Sequence, residues 1–261
     1  MRPYLAILSA RFRMLLQYRS AAAAGFVTQL FWGLIRMMIF QAFMENSISP
    51  PLDSRQILGY IWLTQAFLLL AMVQGDGEIQ AMIRTGNIGY ELLRPVDLQC
   101  LWLSRKIATR LAPTLLRCVP LIGFAALMGW LDWPGLASAL AGVAALAGAV
   151  LLSSCVCMLM DISMFWTVSG AGMNRLIGAI TVFFSGQLIP LPLLPDAWQT
   201  TLAILPFRGL ADAPFRLLLG QIPASHVVGV VAHQLIWAGL LSLLIRGLMA
   251  RSLRRVVIQG G

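Results

Sequence analysis

The sequence predicts an all-α, polytopic membrane protein with six transmembrane helices, and three observations carry that prediction. Of the 261 residues, 59% are hydrophobic and only 11% are charged, against roughly 25% charged in a soluble domain. The apolar residues gather into stretches of about 20, the length that crosses a bilayer as a helix, and the mean hydropathy is +0.81. The cations follow a two-sided pattern along the chain, as the positive-inside rule requires. Residues 1–261 read as a single transmembrane domain.

Residues 1–20 read as an interface helix. Leu5, Leu8, Phe12 and Leu15 recur at helical spacing, with Arg11, Arg13 and Arg19 between and after them. That pattern suits either a helix lying among lipid headgroups or a cytoplasmic extension of the first span. Ala21 to Ala24 precede the long apolar run rather than follow it, so this is not a cleaved signal. Spans are expected near 21–44, 56–75, 110–131, 136–160, 174–192 and 226–249. Asp161 and Arg175 bracket a mixed stretch that blurs the start of the fifth.

Arg36 lies deep in the first span, where a charge needs a partner or water. It either lines a substrate path or snorkels toward the outer surface. Ala137, Ala141, Ala145 and Ala149 make a stripe along the fourth span that admits a close helix partner, from this chain or another. His226 and His233 share one face of the last span, and His233 is a further candidate for the substrate path.

Two connections are too patterned for plain loops. The segment 76–109 contains Gly86 and Gly89, which interrupt a helix. The short apolar face of Tyr90, Leu92 and Leu93 follows, flanked by Glu91 and Arg94 and stopped by Pro95. An apolar knob ringed by charge suits a groove on another protein, the alternative being an interfacial segment that touches only lipid. The segment 186–225 is rich in proline yet apolar, with Gly186, Pro190, Pro192, Pro195 and Pro206 in its first part. It reads as short helices dipping into the outer leaflet or capping a path, where irregular backbone is tolerated beside protein or water.

Charge sets the orientation. One set of flanks holds 13 cations: Arg2, Arg11, Arg13, Arg19, Arg84, Arg94, Arg105, Lys106, Arg110, Arg175, Arg251, Arg254 and Arg255. The opposite set holds only three, Arg55, Arg208 and Arg216. Both termini are therefore expected in the cytoplasm, and the net charge of +9 records sidedness rather than a nucleic-acid partner. The four cysteines form no CxxC pair, and the two histidines have no acidic cluster around them, so no metal site is expected. Lys106 is the only lysine and Ile107 follows it. That excludes a GxxxxGK[ST] phosphate loop, and no catalytic residue is identified.

The pattern Gly86-x-Ile88-x-Tyr90-x-Leu92-Leu93-Arg94-Pro95-Val96-Asp97, between the second and third spans, resembles the permease subunit of type-2 ABC exporters, closest to a bacterial branch. Ser185-Gly186, Ile189-Pro190-Leu191, Leu194-Pro195, Trp198 and Leu205-Pro206-Phe207 resemble that family's outer re-entrant helices. The resemblance implies an ATP-driven permease of the bacterial inner membrane, paired with a second six-span permease as a homo- or heterodimer. A cytoplasmic ABC ATPase dimer, which binds the ATP and Mg, would sit beneath it; this chain itself needs no cofactor. By position, Tyr90, Leu92 and Leu93 would be the buried contacts of a coupling helix. Arg84, Glu91, Arg94 and Asp97 would form its polar rim, and Pro95 its turn. Gly186, Pro190, Pro192, Pro195 and Pro206 would shape the outer gate.

Two other classes compete. An ion-coupled transporter or channel keeps acids inside its spans, and Asp161 is the one doubtful case here. A six-span serine protease needs a GxSG motif and a base. The chain offers Thr167-Val-Ser-Gly170 with His233, lacks the first glycine, and has Ile236 three residues after the histidine.

Overall fold

A computed structural model describes residues 2–45, 53–167 and 170–253. Ser169, Arg254 and Arg255 lie outside these. Among the described residues every regular element is helical. They are α1 (Arg2–Leu16), α2 (Arg19–Glu45), α3 (Ser54–Ala66), α4 (Leu68–Ala71), α5 (Gly77–Arg84) and α6 (Ile88–Leu92), then α7 (Leu98–Leu127), α8 (Leu136–Ser163), α9 (Gly170–Phe184), α10 (Asp196–Ile204), α11 (Asp212–Leu218) and α12 (Val227–Leu253). Three 3-10 turns, at Leu191–Leu193, Pro206–Leu210 and Ala224–His226, complete the backbone.

Among the described residues four helices are long and apolar enough to cross a membrane: α2, α7, α8 and the continuous run Ala224–Leu253. The 15-residue α9 is a shorter apolar helix. The chain is thus all-α and polytopic. The expected second span is not one helix. It breaks at Phe67 between α3 and α4, then unwinds over residues 72–76. Carbonyls that leave a helix inside a packed bundle need partners, and Arg110 supplies them. Its guanidinium donates to the carbonyls of Leu69 and Met72 at 2.8 Å and of Gln74 at 3.2 Å.

The expected third span starts much earlier than residue 110. Asp97 accepts a hydrogen bond from the Cys100 N–H at 2.8 Å and opens α7 directly after the Pro95 stop. Arg105 and Lys106, which read as loop charges, and Arg110, which reads as the entry of the span, lie inside this helix; Lys106 and Arg110 are buried and Arg105 is largely covered.

The bundle has two ends. The near end gathers α1, α5, α6, the start of α7 and the ends of α8 and α12 around Ile79, Ile88, Leu98, Trp102, Ile162 and Met249. At the far end α3, the end of α7 and α11 enclose Tyr60, Phe67, Leu121 and Phe215, and Trp62 stacks on Trp130 at 5.2 Å. Between lipid-facing helices there is little hydrophobic drive, so close packing and polar contacts hold them. The alanine stripe of α8 shows this. Ala141, Ala145 and Ala149 are buried, and their partners lie in the same chain, on α11 and α12. Gln234 of α12 donates to the Ala145 carbonyl at 2.9 Å and the Gly209 carbonyl at 2.7 Å. Any side chain on Gly148 would collide with it.

Candidate functional site

At the near end, Asp76 caps α5 by accepting from the Glu78 N–H at 2.9 Å. Gly86 then turns the chain at φ +74°, a left-handed conformation that favours glycine. The five residues of α6 divide sharply. Ile88 and Glu91 point inward, one turn apart, and are buried. Tyr90, Leu92 and the following Leu93 stand out at 73%, 41% and 81% exposure, with Arg84, Arg94 and Pro95 exposed around them. Three apolar side chains facing away from the body form a knob without a partner among the described residues.

Glu91 holds that knob in place. Its Oε2 accepts from the Trp102 indole N–H at 2.7 Å, and its Oε1 pairs with Arg105 at 2.6 Å. It lies at 5% exposure, not on the rim where the sequence pattern puts it. Placing the apolar residues outward turns Glu91, on the opposite side of a single helical turn, toward α7. Asp97 is the other anchor. Besides capping α7 it donates its backbone N–H to the Tyr4 hydroxyl at 2.9 Å, and its carboxylate lies 3.9 Å from Arg246. Arg11 of α1 pairs with Glu78 at 2.8 Å. Replacing Glu91 with Ala leaves Arg105 and the Trp102 N–H without this acceptor. The expected cost is about 3 kcal/mol, read as a lower melting temperature in detergent, with Glu91→Gln losing less because it still accepts from Trp102.

At the far end the proline-rich segment is held by a polar web. Gly186 adopts φ +84°, and a side chain there would meet the Tyr60 hydroxyl. That hydroxyl donates to the Gly186 carbonyl at 3.0 Å and lies 3.3 Å from Asp212 Oδ1. Pro190 precedes the 3-10 turn that contains Pro192, Pro195 precedes α10, and Pro206 opens the next 3-10 turn. Gln199 ties the run together by donating to the Leu191 and Leu194 carbonyls at 2.8 and 2.9 Å. The Gln187 amide donates to the Thr64 carbonyl at 2.6 Å. Asp212 is fully buried and lies 3.4 Å from Arg208 and 3.5 Å from Arg216.

Arg36 belongs to this web. It donates to the Gln187 carbonyl at 2.6 Å, to the Leu188 carbonyl, and to the Thr64 hydroxyl at 3.2 Å. Its partners are therefore carbonyls exposed where α9 ends. Arg36→Met should cost about 2 kcal/mol and free the 186–188 backbone. A cysteine placed at Leu188 would then react faster with a water-soluble thiol reagent. His233 lies elsewhere. Its Nε2 is 3.2 Å from the Ile204 carbonyl, which also accepts from the Trp237 indole at 2.8 Å. It lines a cavity of about 270 Å³ with Arg208 and His226.

Sequence reasoning missed Tyr60, Gln187 and Asp212. The signal for Asp212 was present: Arg208, Asp212 and Arg216 recur every fourth residue in an apolar stretch.

A sequence model described as ABC-2 family transporter protein matches residues 54–260. The chain belongs to that family. No curated protein and no solved structure matches it significantly. As an ABC-2 transporter protein, the chain is a multi-pass transmembrane permease, the transport component rather than the catalyst. Permeases of this kind work with a partner ABC ATPase. The match begins at residue 54, so α1 and α2 precede the shared ABC-2 region.

Proposed function

We propose that this permease is the membrane half of an ATP-driven exporter, and that α6 is the coupling helix seated in a groove of a separate cytoplasmic ATPase dimer. The observation that carries this reading is the orientation of α6: three apolar residues face outward while Glu91 clamps the turn to α7. Arg84, Arg94 and Asp97 supply the rim. The ATPase binds the ATP and Mg, and its closure pushes on the knob.

In this reading the chain crosses the bacterial inner membrane six times, through α2, α3–α4, α7, α8, α9 and α12, with both termini in the cytoplasm. At 1.5 Å per residue α9 spans only about 22 Å, so the stretch beyond it completes the fifth crossing. A second six-span permease, the same or different, completes the path, and alternating access moves an amphipathic substrate between leaflets. The segment from Gly186 through Pro190, Pro192 and Pro195 to Pro206 forms the outer gate. An ion-coupled cycle has less support, because each buried acid already has a cation beside it: Asp161 has Lys106 at 2.5 Å, Glu91 has Arg105 at 2.6 Å, and Asp212 has Arg208 and Arg216.

The test is purification of the tagged, full-length chain from its own host in mild detergent. A vanadate-sensitive ATPase activity should travel with it. A chain that purifies intact without ATPase activity overturns the reading.

A further inference from the structure

The only lysine is buried where the coupling segment joins the bundle. Lys106 Nζ lies 2.5 Å from Asp161 Oδ2 and 4.0 Å from Asp76 Oδ2, and Asp161 is fully enclosed. The other oxygen of Asp161 accepts from the Asp76 N–H at 2.6 Å and from the Gln80 amide at 3.5 Å. The unwound stretch 72–76 runs past this cluster, and three helices grip it. Arg110 of α7 holds its carbonyls and also reaches Cys157 Sγ of α8 at 2.6 Å. Asn174 of α9 accepts from the Gly75 N–H at 3.3 Å. A Cβ on Gly75 would strike both Gln80 and Asp161.

On one side of this stretch lie α5 and the knob of α6. On the other, α4 and α3 lead to Tyr60 and Thr64, which contact Gly186, Gln187 and Asp212 at the far end. Unwound backbone concentrates φ/ψ change in a few residues, whereas the packed helices on either side move as rods. Resting on the coupling reading above, we propose that Lys106 and Asp161 are positioning residues of a buried joint that converts movement of α6 into movement of α3–α4, and so of the outer segment. Both residues are buried inside the chain, so they act through the elements they join.

Replacing both members of a buried pair with apolar residues preserves a fold far better than removing one. The test variant is therefore Lys106→Met with Asp161→Leu. Gly75→Ala is a second variant, which pries the joint open without removing a charge. Both are made in the complete permease–ATPase complex in lipid vesicles, with Cys100→Ser to remove the exposed native thiol. Spin labels at Asn87→Cys and Arg251→Cys report the near end, and labels at Leu136→Cys and Asp196→Cys report the far end. Without either joint change, ATP with vanadate should shift both distances. In each variant the near-end shift should persist while the far-end shift disappears.

If both shifts survive in both variants, the joint is not the transmitter. Loss of ATPase assembly in both variants also overturns the proposal, since the cluster then only builds the docking segment. If one variant fails to assemble, the other decides. If the complex with its joint intact shows no shift at either end, the coupling reading itself has failed, and that outcome is distinct from failure of the joint.

Discussion

Leu93→Asp is expected to strip the ATPase from the permease while leaving the permease folded. Leu93 is the most exposed apolar residue of the knob and touches little in its own chain, so the substitution costs the permease almost nothing. In a docked groove the same change buries a charge without a partner. Residues at the centre of such contacts are worth at least about 2 kcal/mol, and about 30-fold or more in affinity. Copurified ATPase activity should fall accordingly, and the melting temperature of the permease alone should stay within a degree or so. The control is Arg84→Gln on the rim, for which a much smaller loss is expected. Undiminished ATPase with Leu93→Asp would place the docking surface elsewhere.

Asp212→Ala should have the largest effect on the permease itself. Asp212 is completely buried and is the acid shared by Arg208, Arg216 and the Tyr60 hydroxyl. Its removal leaves two guanidinium groups without their shared counter-charge, at a cost of about 3–5 kcal/mol. For a chain of this size that is a drop of roughly 10 °C in melting temperature. Asp212→Asn keeps an acceptor for Tyr60 and loses only the charge, so it should fall between. A melting temperature unmoved by the alanine change would mean the arginines do not depend on Asp212.

The apolar stretches and the asymmetry of the cations were legible in the sequence, because hydropathy and sidedness are properties of composition. The long helices α2, α7, α8 and α12 come from them. The start of α7 was not legible. Arg105 and Lys106 look like solvated loop charges, and Arg110 like a span-entry charge, until their partners are known, and those partners, Glu91, Asp161 and the carbonyls of residues 69–74, lie on other elements. The break at Phe67 was hidden for a related reason, since no Gly or Pro stands within residues 60–74 to mark a helix stop. The unwinding is tolerated because of contacts made by other helices. The knob was half legible. Its apolar pattern was plain, but in a helix of five residues the inward position of Glu91 depends on Trp102 and Arg105. Arg36 was recognised as costly, and its real partners appear only once α9 ends beside it.

That last contact has a consequence for how the protein is made. Arg36 is carried into the bilayer with the first long helix, whereas the Gln187 carbonyl it binds is 151 residues away in sequence. At about 5–20 residues per second of synthesis, the guanidinium waits roughly 8–30 s for its acceptors. During that interval its charge must be sheltered by the insertion machinery, by water or by lipid phosphate. The residue that fastens the far end of the finished bundle is therefore the one that biogenesis must shield while most of the chain is still being translated.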